Sequence, residues 1–147
     1  MHRNITDQNK RNELIKAEMA VGQVLRIQGK WEVARQHLQV VLEVDPAHAE
    51  AINLMSDIYR DEAIADLNSR KVNNALVKFN LSLKFNPGNE LSILNRALCY
   101  AFTENKEKAL QDLAYIISLK DSSNVPRAYL YRSLVWHTEK KAEKRRD

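Results

Sequence analysis

The chain is poor in the residues that staple or break a backbone: its 147 residues include one cysteine, three glycines and three prolines. One cysteine excludes an intrachain disulfide framework and a thiolate-rich metal centre. So few glycines and prolines leave little material for the turns of a β-sandwich or barrel, and strand-like alternation is absent, so the reading is all-α. No apolar run approaches the roughly 20 residues that cross a bilayer. Residues 1–11 are polar and lack the apolar core of a secretory signal. A soluble, intracellular, cytoplasmic protein is therefore expected. Aromatics are scarce at 7%, yet 44% of the chain is hydrophobic, enough for one domain to bury a continuous core.

The chemistry of catalysis is missing as well. His2, His37, His48 and His137 are scattered without metal-ligand spacing, and each reads as a surface polar residue. Gly22, Gly29 and Gly88 stand too far apart to form a phosphate-cradling loop. Cys99, alone among apolar neighbours, reads as a packing thiol. No enzyme, no cofactor and no metal is expected.

What the sequence does have is self-similarity. The segments GKWEVARQHLQVVLEVDPAH, RKVNNALVKFNLSLKFNPGN and ENKEKALQDLAYIISLKDSS superimpose, with Ala34, Ala75 and Ala109 at one site and Leu38, Phe79 and Leu113 four residues on. Each is preceded by a helix-like segment in which Leu25, Tyr59 and Tyr100 correspond, and Gly22, Ser56 and Ala97 lie three positions earlier. Small residues at these sites let two helices approach closely, and the large ones fill the space beside them. Pro46 and Pro87 end the helical stripes that precede them. Two helices per copy, three times over, make stacked hairpins.

The spacing is uneven. Leu25 to Tyr59 spans 34 residues and Tyr59 to Tyr100 spans 41, whereas Ala34 to Ala75 spans 41 and Ala75 to Ala109 spans 34. Seven extra residues thus fall between Tyr59 and Ala75. Seven residues make roughly two helical turns and keep an apolar stripe in phase. Shared equally, they would lengthen each arm of the middle hairpin by one turn and raise its tip, near Leu67 to Ser69, by about 5 Å.

These sites resemble the tetratricopeptide repeat, a helix-turn-helix unit. The first copy, from Ile15, carries Val21, Gly22, Leu25, Gly29, Ala34, Leu38, Val41 and Pro46 at the characteristic places. The second, from Ala49, carries Met55, Ser56, Tyr59, Ala75, Phe79, Ser82 and Pro87; the third, from Glu90, carries Ala97, Tyr100, Ala109, Leu113 and Ile116 but has Asp121 where proline is usual. From Pro126, Tyr129, Ser133 and Trp136 fit first-helix places, and no second helix follows. The resemblance implies a right-handed α-solenoid of three antiparallel helix hairpins with a capping helix. It divides the chain into a polar N-terminal tail (1–11), repeats at about 15–48, 49–89 and 90–123, an extra helix at 126–138 and a basic tail at 139–147.

In such a solenoid the first helices line a concave groove, and the resemblance assigns groove places to each copy. They are Lys16, Met19, Gln23, Arg26 and Ile27; Glu50, Asn53, Asp57, Arg60 and Asp61; Leu91, Leu94, Leu98, Ala101 and Phe102; and Arg127, Leu130, Leu134 and His137 on the last helix. The groove is expected to run from mixed, through acidic, to apolar. Heat-shock co-chaperones of this kind grip a C-terminal carboxylate with lysines, asparagines and an arginine. Met19, Gln23, Leu54, Leu91 and Asn95 stand at those places here, so no carboxylate clamp is expected. Met19, Asn53 and Leu94 also lack the recurring small polar residues of RNA-reading pentatricopeptide repeats.

The partner-binding residues expected from this reading are Met19, Gln23, Arg26, Asn53, Asp57, Arg60, Asp61, Leu91, Leu94, Leu98, Phe102, Leu130 and Leu134. The expected function is a non-enzymatic adaptor or scaffold holding a peptide or amphipathic helix of another protein. Three alternatives stand beside it. One is a small chaperone holding a client's apolar segment. Another has the apolar face covered by the chain's own tail, further repeats or self-association. In the third, the basic tail, with Lys140, Lys141, Lys144, Arg145 and Arg146, contacts nucleic acid or an anionic membrane. The net charge of +4 is modest and the tail is diluted by Glu139 and Glu143, which argues for a solvated helix end.

Overall fold

The computed structural model describes the backbone of residues 2–146 and the side chains of residues 6–138. The described residues form seven helices: α1 (His2–Ile27), α2 (Trp31–Val44), α3 (Ala49–Asn68), α4 (Val72–Phe85), α5 (Glu90–Phe102), α6 (Lys106–Ser118) and α7 (Val125–Arg146). They pack in sequence order as α1–α2, α3–α4 and α5–α6 hairpins, with α7 against α6 and α5. The fold is all-α, three antiparallel hairpins and a seventh helix, as the repeats require.

The close-approach sites behave as such. Ala34, Ala75 and Ala109 are wholly enclosed, as are Leu38, Phe79 and Leu113 one turn on. A Cβ on Gly22 would lie 3.1 Å from Leu38 Cδ2, so only glycine fits there without displacing that leucine. Cys99 packs with Ala63, Ala75 and Phe79, and burial pushes its thiol up to about 12. It is a small apolar wedge with negligible thiolate at neutral pH.

All three hairpin turns use one device. The amides of Lys30, Lys71 and Asn105 donate to the carbonyls of Leu25, Asp66 and Tyr100, and those of Gly29, Arg70 and Glu104 donate to Arg26, Leu67 and Ala101. This is the paired Schellman cap, whose middle residue adopts positive φ. Gly29 meets that demand at 74°, but Arg70 at 63° and Glu104 at 61° are not glycine. A side chain there costs roughly 1–2 kcal/mol, and glycine's extra unfolded-state freedom takes back part of any gain. Arg70→Gly is therefore expected to raise stability by about 0.5–1 kcal/mol, seen as a higher urea midpoint with unchanged slope.

The turns also place the seven extra residues. The intervals Leu25–Ala34, Asp66–Ala75 and Tyr100–Ala109 are equal, so the insertion lies before Asp66. The α3 helix has 20 residues against 13 in α5, while α4 has 14, as α2 does. An equal share per arm is thus not what forms: α3 takes both turns. Its small residue opposite Ala75 is Ala63, two turns beyond Ser56, and both are fully buried.

The consequence is a step, not a protruding hairpin. The first half of α3 packs Ala51, Leu54, Met55 and Ile58 onto Met19, Ala34, Leu38 and Val41 of the first hairpin. Its second half packs Ala63 onto Ala75, Phe79 and Cys99. Asn89, which caps α5, donates to Ser56 Oγ at 2.9 Å and to Asp57 Oδ1 at 3.0 Å. So α5 begins beside the third turn of α3, a shift of about 10 Å along the stack at 1.5 Å per residue. A buried hydroxyl chain fixes this joint: Ser56 donates to the Ser82 carbonyl at 2.7 Å, and Ser82 and Ser92 hydroxyls lie 2.6 Å apart. Among the described residues, no buried side-chain polar atom lacks a partner.

Candidate functional site

The sequence-derived groove residues separate into three groups. Arg26, Asp57, Arg60 and Asp61 come together, but on one another. Arg26 Nε lies 2.7 Å from Asp61 Oδ2; Arg60 Nη1 and Nη2 lie 3.0 Å from Asp57 Oδ1 and 3.2 Å from Asp61 Oδ1. Asn89 adds its amide to Asp57 at 3.0 Å. Two arginines thus neutralise two aspartates, and the stretch expected to be acidic is an internally balanced quartet. A cationic ligand here would have to displace an arginine already in place.

The second group is core. Leu94, expected to face the groove, is 0% exposed and packs with Ala97, Leu113, Ile116, Ala128 and Val135. Ala128 and Val135 of α7 belong to the same core, so the packing of α7 on α6 and α5 encloses that turn. Met19 is likewise buried, beneath Ala51, Leu54 and Met55 of α3. Asn53 holds the same place in its copy and is exposed, because the step moves α5 two turns along α3. The residue seven places on, Arg60, is the one partly buried instead. Leu91 is half-buried against the third hairpin's core.

The third group is open. Phe102 is 66% exposed, Leu130 57% and Leu134 47%, with Leu98 half-buried. Leu98 and Phe102 lie one turn apart on α5, and Leu130 and Leu134 one turn apart on α7, which packs beside α5. By the repeat register all four hold groove places. Gln23 is exposed at the other end, where a cleft of about 660 Å³ is lined by residues including Lys16, Met19, Gln23, His48 and Glu50.

Sequence reasoning missed several polar contacts that organise these surfaces. His48 caps α3, its Nδ1 accepting from the Ala51 amide at 3.1 Å, and His37 Nδ1 lies 2.5 Å from Glu18 Oε2. Lys78 Nζ bridges Glu62 at 3.1 Å and Asp66 at 2.6 Å. Burial alone would lower its pKa, but the bonds to Asp66 and Glu62 outweigh that and leave it raised. Arg96 forks onto Asp112 through Nε at 2.9 Å and Nη2 at 2.7 Å, and those hydrogen bonds raise the guanidinium further. The signal available in sequence was charge at matched places of facing helices, which spacing alone does not pair. The Lys140–Arg146 cluster lies outside the residues whose side chains are described.

Among the described residues, no group of three or more histidine, cysteine, aspartate or glutamate side chains could hold a metal ion. Nor is any helix among the described residues long and apolar enough to cross a membrane.

No family model and no curated protein matches the sequence. Solved structures do match in fold. The chain is similar to the structure titled "Crystal structure of MamA protein", with a TM-score of 0.51 and 16% identity over 90% of this chain and 86% of that one. It is similar also to "MamA RS-1 ArsTM double mutant", with a TM-score of 0.56 and 19% identity over 89% of this chain and 68% of that one. At such identities the likeness is one of fold: seven helices stacked as sequential antiparallel pairs, the architecture that the three repeats of this chain encode.

Proposed function

We propose that this chain is a non-enzymatic protein-binding module whose concave apolar end takes a peptide or amphipathic helix of another protein. The observation that carries the reading is the exposure of Phe102, Leu130 and Leu134, with Leu98 between them, on two adjacent first helices. Burying what these four side chains still expose contributes roughly 3–6 kcal/mol in all, against which the cost of association is set. The anchors of a bound segment would be apolar, since the ionic quartet beside them is already balanced. A carboxylate-clamp ligand is not proposed, for want of cations at the clamp places.

Selection from a displayed random-peptide library on the intact chain tests this. Peptides with two or more large apolar anchors should be enriched, and Leu130→Glu/Leu134→Glu should fail to retain them while keeping its helical dichroism and melting point. Retention of the same peptides by the double variant would move the site elsewhere, with the cleft at Gln23 and Glu50 next in line. The reading that the basic tail binds nucleic acid separates by salt, because phosphate contacts weaken steeply with ionic strength and apolar ones do not.

A further inference from the structure

Each hairpin fastens its second helix to its first by the same two devices. One is the small residue at the crossing, Ala34, Ala75 or Ala109, each fully buried. The other is a polar bridge across the hairpin: a hydrogen bond between Glu18 and His37, and ion pairs from Glu62 and Asp66 to Lys78 and from Arg96 to Asp112. The third hairpin and α7 can be laid over one another through the repeat register. Ser133 then falls on Ala97, Trp136 on Tyr100 and Arg132 on Arg96.

The overlay extends to side-chain geometry. The Arg96 guanidinium sits 5.6 Å over the Tyr100 ring and is bidentate to Asp112 of α6. Arg132 sits 5.0 Å over the Trp136 ring and 4.7 Å over Tyr129. Among the described residues, no carboxylate lies within ion-pair distance of Arg132. Tyr129 and Trp136, at first-helix places that face a second helix in the repeat, are 45% and 46% exposed. Thus α7 presents the first-helix half of a hairpin joint, complete with its oriented cation.

We propose that this face of α7 docks an acidic amphipathic helix of another protein, seated on α7 as α6 is seated on α5, with a carboxylate on Arg132. The site is separate from the concave groove and stands whether or not the groove reading holds. The joint specifies its occupant. Ala109, Asp112, Leu113 and Ile116 are the contact residues of α6, so the docked helix carries alanine, an acid three residues on, leucine or phenylalanine next, and an aliphatic residue three further. Its small residue meets Ser133 and its large one sits against Tyr129 and Trp136. An acidic residue in its first turn, as Glu107 is in α6, complements the helix dipole. This charge pattern favours a protein helix over a nucleic-acid strand, which would leave the small-residue crossing without a use.

The test is a labelled peptide copying residues 105–119 of this chain, titrated against the intact protein. Fluorescence anisotropy gives affinity, and the Trp31 and Trp136 indole N–H resonances report location. The Trp136 signal should shift and the Trp31 signal should not. Arg132→Glu should weaken binding about tenfold to a hundredfold, the range for a charged hydrogen bond. A peptide with arginine in place of Asp112 should bind Arg132→Glu better than it binds the natural chain. Arg132→Gln removes the charge without reversing it and should also weaken the natural peptide. Equal affinity for all three chains would overturn the proposal, and so would failure of the charge swap to restore binding. So would a Trp136 shift on concentrating the chain alone, which would make a second copy the occupant, or displacement of the peptide by a single-stranded oligonucleotide.

Discussion

Leu94→Glu is expected to abolish the cooperative folding of the third hairpin, at a loss of about 4 kcal/mol or more. Removing a buried leucine side chain alone costs roughly 2–5 kcal/mol, and an unpaired carboxylate left among apolar neighbours adds to it. Leu94 shares its core with Ile93, Ala97, Leu113 and Ile116 and with Ala128 and Val135 of α7. Nothing among them can pair a charge. Leu134→Glu, by contrast, places the same group on a half-exposed helix face and should stay within about 0.5 kcal/mol of the natural chain. Urea unfolding followed by helical dichroism separates the two. Equal midpoints would put Leu94 at the surface and detach α7 from α5.

Ala63→Leu carries the next largest effect, a loss of about 1–3 kcal/mol from overpacking. Ala63, Ala75 and Phe79 are all fully enclosed where α3 crosses α4, so three added carbons have no void to enter. The substitution also locates the insertion. Were the seven residues shared between both arms, Ala63 would lie in a raised tip and tolerate leucine. A destabilised variant is the outcome expected when α3 alone carries both turns.

The hairpins were legible in the sequence because each close-approach site admits only a small residue, and Ala34, Ala75 and Ala109 recur with a large residue four places on. The phase of the insertion was legible too, since seven residues return a helix to nearly the same face. Its allocation was not. Ser56 and Ala63 are both small and seven apart, so the pattern fits α4 equally well at either, and only the caps at Asp66 and Arg70 decide between them. Glycine marks the first of those caps alone; arginine and glutamate occupy the others at some cost in strain, so the turn signal was silent at two of three sites.

The groove was the less legible part for a related reason. Places counted from a repeat describe level hairpins, and the step in α3 breaks that level. Asn53 is uncovered and Arg60 is drawn in beside Asp57 and Asp61, while Leu94 is sealed where α7 closes on α5. Charge counting gave an acidic stretch because Arg26 lies in another repeat and its reach to Asp61 is a tertiary fact. Phe102, Leu130 and Leu134, at the far end, are exposed at places that the repeat resemblance assigns to the groove.

Methyl-resolved NMR of the intact chain, titrated with a peptide recovered from the displayed library, tests the binding account most directly. The methyl groups of Leu98, Leu130 and Leu134 should shift together in a saturable way, while those of Leu54 and Leu113, sealed in the hairpin cores, stay in place. Shifts confined to Met19, Ala20 and Ala49 at the opposite cleft, with Leu130 and Leu134 unmoved, would contradict it.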